Sequence, residues 1–113
     1  MIAGKQSRIV LVTCGSIPEA RRIAGKVVEK RLAACVNIVL APIQSIYRWK
    51  GRVQSAREVL MVIKTSAKRL KELEREVKGL HSYAVPEFIV VPITGGSREY
   101  LAWVNESVKP AAK

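Results

Sequence analysis

An α+β fold with the element order β-α-β-β-α-β is what this sequence predicts, and three observations predict it. Short β-branched apolar runs recur at 8–13, 53–65 and 88–93. Two stretches between them carry apolar residues at helical spacing behind polar caps. A glycine-bearing turn joins two β-rich arms in the middle of the chain. At 113 residues there is room for one domain, 1–113 with a core at about 8–108. A hydrophobic content of 49% excludes a disordered chain, because that much apolar surface can offset the entropy of ordering.

Arg8 to Thr13 (RIVLVT) is too short for a helix and does not alternate, which suits a strand covered on both faces. Ser16-Ile-Pro-Glu19 reads as a capping box: Ser16 can accept from the backbone at Glu19, and Pro18 is tolerated in a first turn. The helix that follows presents Ala20, Ile23, Ala24, Val27 and Val28 on one stripe, with Arg21, Arg22, Lys26, Glu29 and Lys30 off it. Leu32 to Tyr47 is β-rich, and Pro42, which cannot donate to a ladder, marks an edge or a bulge in one long bent strand. Trp49-Lys-Gly-Arg52 turns the chain, and Val53 to Thr65 returns with Val59, Met61 and Ile63 alternating against Leu60, Val62 and Lys64. Hairpin arms of about a dozen residues each would reach on the order of 40 Å at about 3.3 Å per residue.

Ser66 is expected to cap a second helix lined by Leu70, Leu73, Val77 and Leu80, with Gly79 at its C-terminal cap. Phe88 to Ile93 gives the last strand, Gly95-Gly96 ends it, and Ser97 caps a short helix carrying Leu101, Trp103 and Val104. The tail from Pro110 is expected to fray. This order plus a terminal helix is the ferredoxin-like, split βαβ arrangement, a sheet with two helices on one face. Its second strand is an edge, and the projecting hairpin exposes Ile43, Ile46, Tyr47 and Trp49. Further copies of the chain cover both economically, so a homotrimer is the expected state.

Five motifs stand in order across roughly residues 8–108: Arg31-Leu-Ala-Ala-Cys-Val-Asn37, Ser45-Ile-Tyr-Arg-Trp-Lys-Gly51, Glu58-Val-Leu-Met-Val-Ile-Lys-Thr65, Leu80-His-Ser-Tyr-Ala-Val-Pro-Glu87 and Gly96-Ser-Arg-Glu-Tyr-Leu-Ala-Trp103. Together they resemble the CutA-type divalent-cation tolerance family. The resemblance implies a ferredoxin-like homotrimer with interlocking hairpins, a part in tolerance of divalent metals and copper especially, and a sensing or regulatory role like that of PII signalling trimers. It implies neither enzymatic activity nor an organic cofactor. Where many relatives continue the first strand with Thr-x-Pro-Asp, this chain has Thr13-Cys14-Gly15-Ser16, so the copper role of a cysteine in some bacterial members does not carry over to Cys14. Those members also have paired histidines where this chain has Leu80-His81.

His81, the single histidine, is the candidate metal ligand, with Cys35 as a possible sulfur donor. The plainer alternatives are a structural histidine at a helix C-terminus and a cysteine packed as a small hydrophobe. Glu58, Lys64, Tyr83 and Glu87, with His81, are expected to converge on Tyr47, Trp49 and Trp103 in a cleft between subunits, a few polar anchors in an aromatic wall.

The net charge of +11 raises an RNA-binding module as the rival reading, since an RRM shares the strand and helix order. RIVLVT and SAREVLMVIKT lack the aromatics on which an RRM stacks bases, so nucleic acid is not the expected partner. An enzyme is disfavoured by the lack of a phosphate loop, a nucleophile elbow or a His-Glu-x-x-His. Apolar runs far short of the roughly 18 residues that cross a bilayer, and a start without a signal-peptide core, point away from the membrane and to the cytoplasm, with both thiols reduced. Few Asn and Gln, many Lys, Arg and branched apolar residues, and closure by oligomerisation point to thermostability.

Overall fold

The computed structural model describes residues 1–111. In chain order the elements are β1 (Ile2–Ala3), β2 (Ser7–Cys14), α1 (Ile17–Glu29), β3 (Cys35–Ile38), β4 (Ile43–Trp49), β5 (Arg52–Ser66), a 3-10 turn (Ala67–Arg69), α2 (Leu70–Leu80), β6 (Ile89–Pro92), β7 (Gly95–Gly96) and α3 (Arg98–Ser107). The fold is α+β with antiparallel sheets. The main sheet runs β3-β5-β2-β6, with β4 pairing the outer half of β5, so the strands expected second, third, first and fourth lie side by side in that order.

Strand period two explains the core. Val10, Val12 and Cys14 of β2 and Val59, Met61 and Ile63 of β5 share one face, where Ala20, Ile23 and Val27 of α1 and Leu73 and Val77 of α2 pack on them. Each large aliphatic side chain buried there is worth about 1.5–3 kcal/mol. The alternate residues of β5, Leu60, Val62 and Lys64, stay half-buried on the opposite face. Ala34, Val104 and Val108 form a smaller cluster beneath α3.

Local chemistry sets the boundaries. Ser16 Oγ accepts the Glu19 N–H at 3.3 Å and Ser97 Oγ accepts the Tyr100 N–H at 3.3 Å, so both expected caps are formed. Lys50 and Gly51 have φ of 50° and 77°, the two left-handed residues that a two-residue hairpin turn between Trp49 and Arg52 demands.

Several expectations need correction. The long bent strand is two strands, because the chain breaks at 39–42, where Pro42 lies, between β3 and β4. The projecting arm β4 is therefore 7 residues, with a reach of about 23 Å at about 3.3 Å per residue rather than 40 Å. Ser66 makes no side-chain cap, since the 3-10 turn separates it from α2. Gly79 lies inside α2, which ends when His81 turns extended. Gly95–Gly96 forms its own strand against Ile2–Ala3. At the base of that pairing only a glycine fits, for a Cβ on Gly4 would sit 2.2 Å from the Ile93 carbonyl oxygen. For residues 112 and 113, the fraying expected from Pro110 onward lies outside the described residues. No helix among the described residues is long and apolar enough to cross a membrane.

Glu19, only 7% exposed, ties the start of α1 to the end of α2. Its Oε1 accepts the Gly15 N–H at 3.3 Å and its Oε2 accepts the Ser82 N–H at 2.8 Å. Burial pushes this carboxyl up, but the bonds from Ser82 and Gly15 outweigh it and hold the group below its ordinary value of 4.5. A carboxylate depressed in the folded state contributes stability that is fully present above 4.5 and is lost as the pH falls through the lower folded value. Glu19→Gln is expected to cost about 1–3 kcal/mol at pH 7 by urea denaturation, and to lose less further stability on acidification than the parent chain. Parallel acid profiles for the two proteins would remove Glu19 from this role.

Candidate functional site

Beyond Cys14 the first strand stops, and β5 continues outward with β4 as its only described partner. Glu58 sits at that handover, paired with Ile43, and only 9% exposed. By strand alternation it lies on the same face of the hairpin as Ser45, Tyr47, Trp49 and Gln54. The segment after α2 passes over this face, and Tyr83 Oη donates to Glu58 Oε2 at 2.9 Å. Between the hairpin and residues 83–87 lies a cleft of about 700 Å³, within the range of small-molecule sites. Thr13, Tyr47, Trp49, Glu58, Tyr83 and Glu87 contribute to its walls.

The electrostatics of the cleft oppose those of the chain as a whole. The protein carries 20 lysines and arginines against 9 acidic residues, yet among the described residues the cleft is lined by two of the glutamates and by no lysine, arginine or histidine. Neither Glu58 nor Glu87 has an ion-pair partner among the described residues. Burial, and then the nearby Glu58 carboxylate, push the Glu87 carboxyl above its ordinary value. Burial and the bond to Glu58 push the Tyr83 hydroxyl up to about 12, so it stays a donor throughout the physiological range.

His81 serves this site indirectly. Its side chain is fully buried. Nε2 lies 2.7 Å from the Thr13 carbonyl oxygen, which can only accept, and Nδ1 lies 3.0 Å from the Tyr83 N–H, which can only donate. Those partners fix a neutral ring protonated at Nε2, with both nitrogens engaged. The ring also packs against Tyr83, with centroids 4.7 Å apart. His81 thereby fastens the Tyr83 end of the cleft wall to β2.

The donor set does not fit a metal at His81, because neither nitrogen is free to coordinate. The expected partner is not at hand either: Cys35 faces Lys64 across the β3–β5 pairing, whereas His81 lies against Thr13. Among the described residues no three His, Cys, Asp or Glu side chains come close enough to hold an ion. Cys14 is buried, its thiol pushed up by that burial, with Sγ 3.5 Å from the Ser16 carbonyl oxygen.

Of the eight residues expected to converge in a cleft between subunits, Tyr47, Trp49, Glu58, Tyr83 and Glu87 line this cleft, which one chain forms, and His81 lies behind its Tyr83 end. Lys64 does not line it, since its ammonium reaches Asn37 Oδ1 on β3. Trp103 lies on α3 and stacks on Tyr100, with centroids 5.5 Å apart. Sequence reasoning also missed Thr13, Ser45 and Gln54. Period two along the hairpin arms would have found Ser45 and Gln54, once Trp49 and Arg52 were taken to flank the turn.

The sequence profile of the CutA1 divalent ion tolerance protein matches residues 8–107. The divalent-cation tolerance protein CutA of Thermus thermophilus is 48% identical over 99 residues, covering 88% of this chain and 95% of that one. Its namesake from Archaeoglobus fulgidus is 42% identical over 100 residues, covering 88% and 96%. Among solved structures, the Thermus thermophilus divalent cation tolerance protein superposes with a TM-score of 0.89 at 47% identity, covering 91% of this chain and 99% of that one. With the profile spanning nearly the whole chain and relatives matched along almost their full length, the chain belongs to the CutA1 divalent ion tolerance family.

Proposed function

We propose that this chain acts in divalent-cation tolerance as a homotrimeric binding and regulatory protein, comparable to the PII signalling trimers, with no catalytic step of its own, and that its ligand site is the cleft at Glu58. One observation carries the reading. A carboxylate only 9% exposed that borders a cavity, with one tyrosine hydroxyl as its hydrogen-bond partner among the described residues, gains from a ligand that pairs with it. Folding alone is better served by an apolar residue at that position.

The trimer is supported by what a single chain leaves exposed. At the hairpin Ile46 is 70%, Val53 66% and Trp49 44% exposed, and the edge strand β6 exposes Ile89 and Val90. Apolar edge strands of this kind are aggregation templates unless a closed ring pairs or covers them. The three-fold number comes from the family resemblance.

Copper is the cation to present first, on the strength of that resemblance. Since His81 lacks a free nitrogen and Cys35 lies elsewhere, tolerance is better served by regulation through the cleft than by chelation at His81. Two reduced thiols are consistent with the cytoplasm as its compartment.

Val53→Glu, on the hairpin face opposite the cleft, is expected to lower the mass measured by light scattering from three chains to one, because an unpaired charge cannot be buried in an apolar contact. An unchanged trimer mass would end the hairpin account. His81→Ala is expected to cost about 2–4 kcal/mol, leaving the Thr13 carbonyl and the Tyr83 N–H unpaired, while the calorimetric copper and zinc isotherms of the folded protein stay as they were. Micromolar binding that disappears with the ring would instead make His81 a ligand. The melting midpoint of the trimer is expected above the mesophile range of about 45–65 °C, and a midpoint near 55 °C would overturn that.

A further inference from the structure

From the cleft we infer the class of its ligand: an organic cation, a primary ammonium or comparable group on an apolar stem, with the charge at Glu58 and Glu87 and the stem along Tyr47 and Trp49. The inference rests on the cleft being the ligand site and adds the chemistry of what fills it.

Charge selects the sign. In a chain with a net charge of +11, two carboxylates without cationic partners line one cavity, and among the described residues of the same chain no basic side chain joins them. Anions such as nucleotides or carboxylates would meet like charge and no donor pair to hold them. Glu58 uses Oε2 for the Tyr83 hydroxyl, and its other oxygen has no hydrogen-bond partner among the described residues. That oxygen is not one of the buried side-chain atoms left unpaired, so water can reach it, and an ammonium entering the cleft takes that water's place.

Coordination number separates an organic cation from a metal ion. Hard divalent ions take six to eight oxygen ligands, and borderline ions take four with nitrogen or sulfur among them. The cleft supplies two carboxylates and a tyrosine, and the described residues bring no third acidic, histidine or cysteine side chain to them. An ammonium needs three acceptors at most. The rest of the cavity suits the stem: Tyr47 and Trp49 offer aromatic faces, which attract a cation and cover apolar carbon. At about 700 Å³ the space is far larger than a bare ion requires.

The test uses the full chain in its oligomeric state, with Trp103→Phe introduced so that emission reports Trp49 alone. Butylammonium and benzylammonium are titrated beside the matching neutral alcohols, the matching carboxylates, and magnesium and copper. The expected result is saturable binding of the ammonium probes, with a shift in Trp49 emission, and at least about tenfold weaker binding of the neutral and anionic counterparts. Glu58→Gln keeps the volume and an acceptor for Tyr83 and is expected to weaken ammonium binding by about tenfold or more; Glu87→Gln, at a half-exposed position, serves as the second variant with a smaller loss in the same direction.

Tighter binding of the alcohols or carboxylates, or a response to the metals alone that needs Glu58, overturns the organic cation and leaves the cleft as a site. If no probe of any charge moves Trp49, the cleft reading falls and the inference with it.

Discussion

Everything in this chain hangs on the register of one strand. β5 runs for 15 residues and changes partners along the way: its inner part pairs with β2 and β3, its outer part with β4. Because side chains alternate, a slip of one residue would turn Met61 and Ile63 out of the core and drive Glu58 and Lys64 into it. Burying two unpaired charges while exposing two large apolar side chains costs well over the few kcal/mol by which domains are stable. The register is thus over-determined by the core, and the core in turn fixes which face of the hairpin carries Tyr47, Trp49 and Glu58. The position of the cleft is a by-product of hydrophobic packing several residues away.

The second wall of the cleft is held by polar chemistry instead. The segment after α2 has few apolar anchors, with Tyr83 and Val85 substantially exposed. What fixes it is a chain of bonds: Glu19 to the Ser82 N–H, His81 to Thr13 on β2 and to the Tyr83 N–H, and Tyr83 to Glu58 on β5. Each net bond contributes about 0.5–1.5 kcal/mol, but leaving any of these buried partners unmade costs more, so the network specifies one arrangement of the loop. A histidine that supports the site in this way gives the same sequence signal as a histidine that ligates a metal. Only the geometry of its two nitrogens tells them apart.

That difference marks the limit of what the sequence makes legible. Patterns that arise from burial and local bonding were readable: the stripe of α1, the alternation of β5, the serine caps at Ser16 and Ser97, and the turn at Lys50-Gly51 all follow from one residue's relation to near neighbours. Interactions between distant segments were not. Nothing local marks Ile2–Ala3 as the partner of Gly95–Gly96, and nothing local says that His81 will bend out of α2 to reach Thr13 rather than let Gly79 close the helix. Lys64 and Trp103 share motifs with cleft residues, yet sequence proximity carried no information about direction. Lys64 is six residues from Glu58 along a strand, about 20 Å at about 3.3 Å per residue, far beyond the reach of one side chain across the same site. Glu58, Tyr83 and Glu87 were named because they stand in the motifs of the family resemblance, Glu58 also because it opens an apolar strand run where a charge needs a partner.

The charge distribution ties these strands together. Most of the basic residues of the helices lie on their outer faces, where several pair with neighbouring glutamates, as Lys30 does with Glu76 and Lys78 with Glu74. Such exposed pairs are worth little and leave the surface strongly positive. Against that field a glutamate is attracted at long range by charges that do not touch it. Long-range attraction, however, supplies no hydrogen bond to the free oxygen of Glu58 and does nothing for the repulsion between Glu58 and Glu87. A fold could have relieved both by placing one of its many lysines in the cleft. That the described residues place none of them in the cavity, while a neutral hydroxyl holds Glu58, leaves the charge available for something that comes from outside the chain.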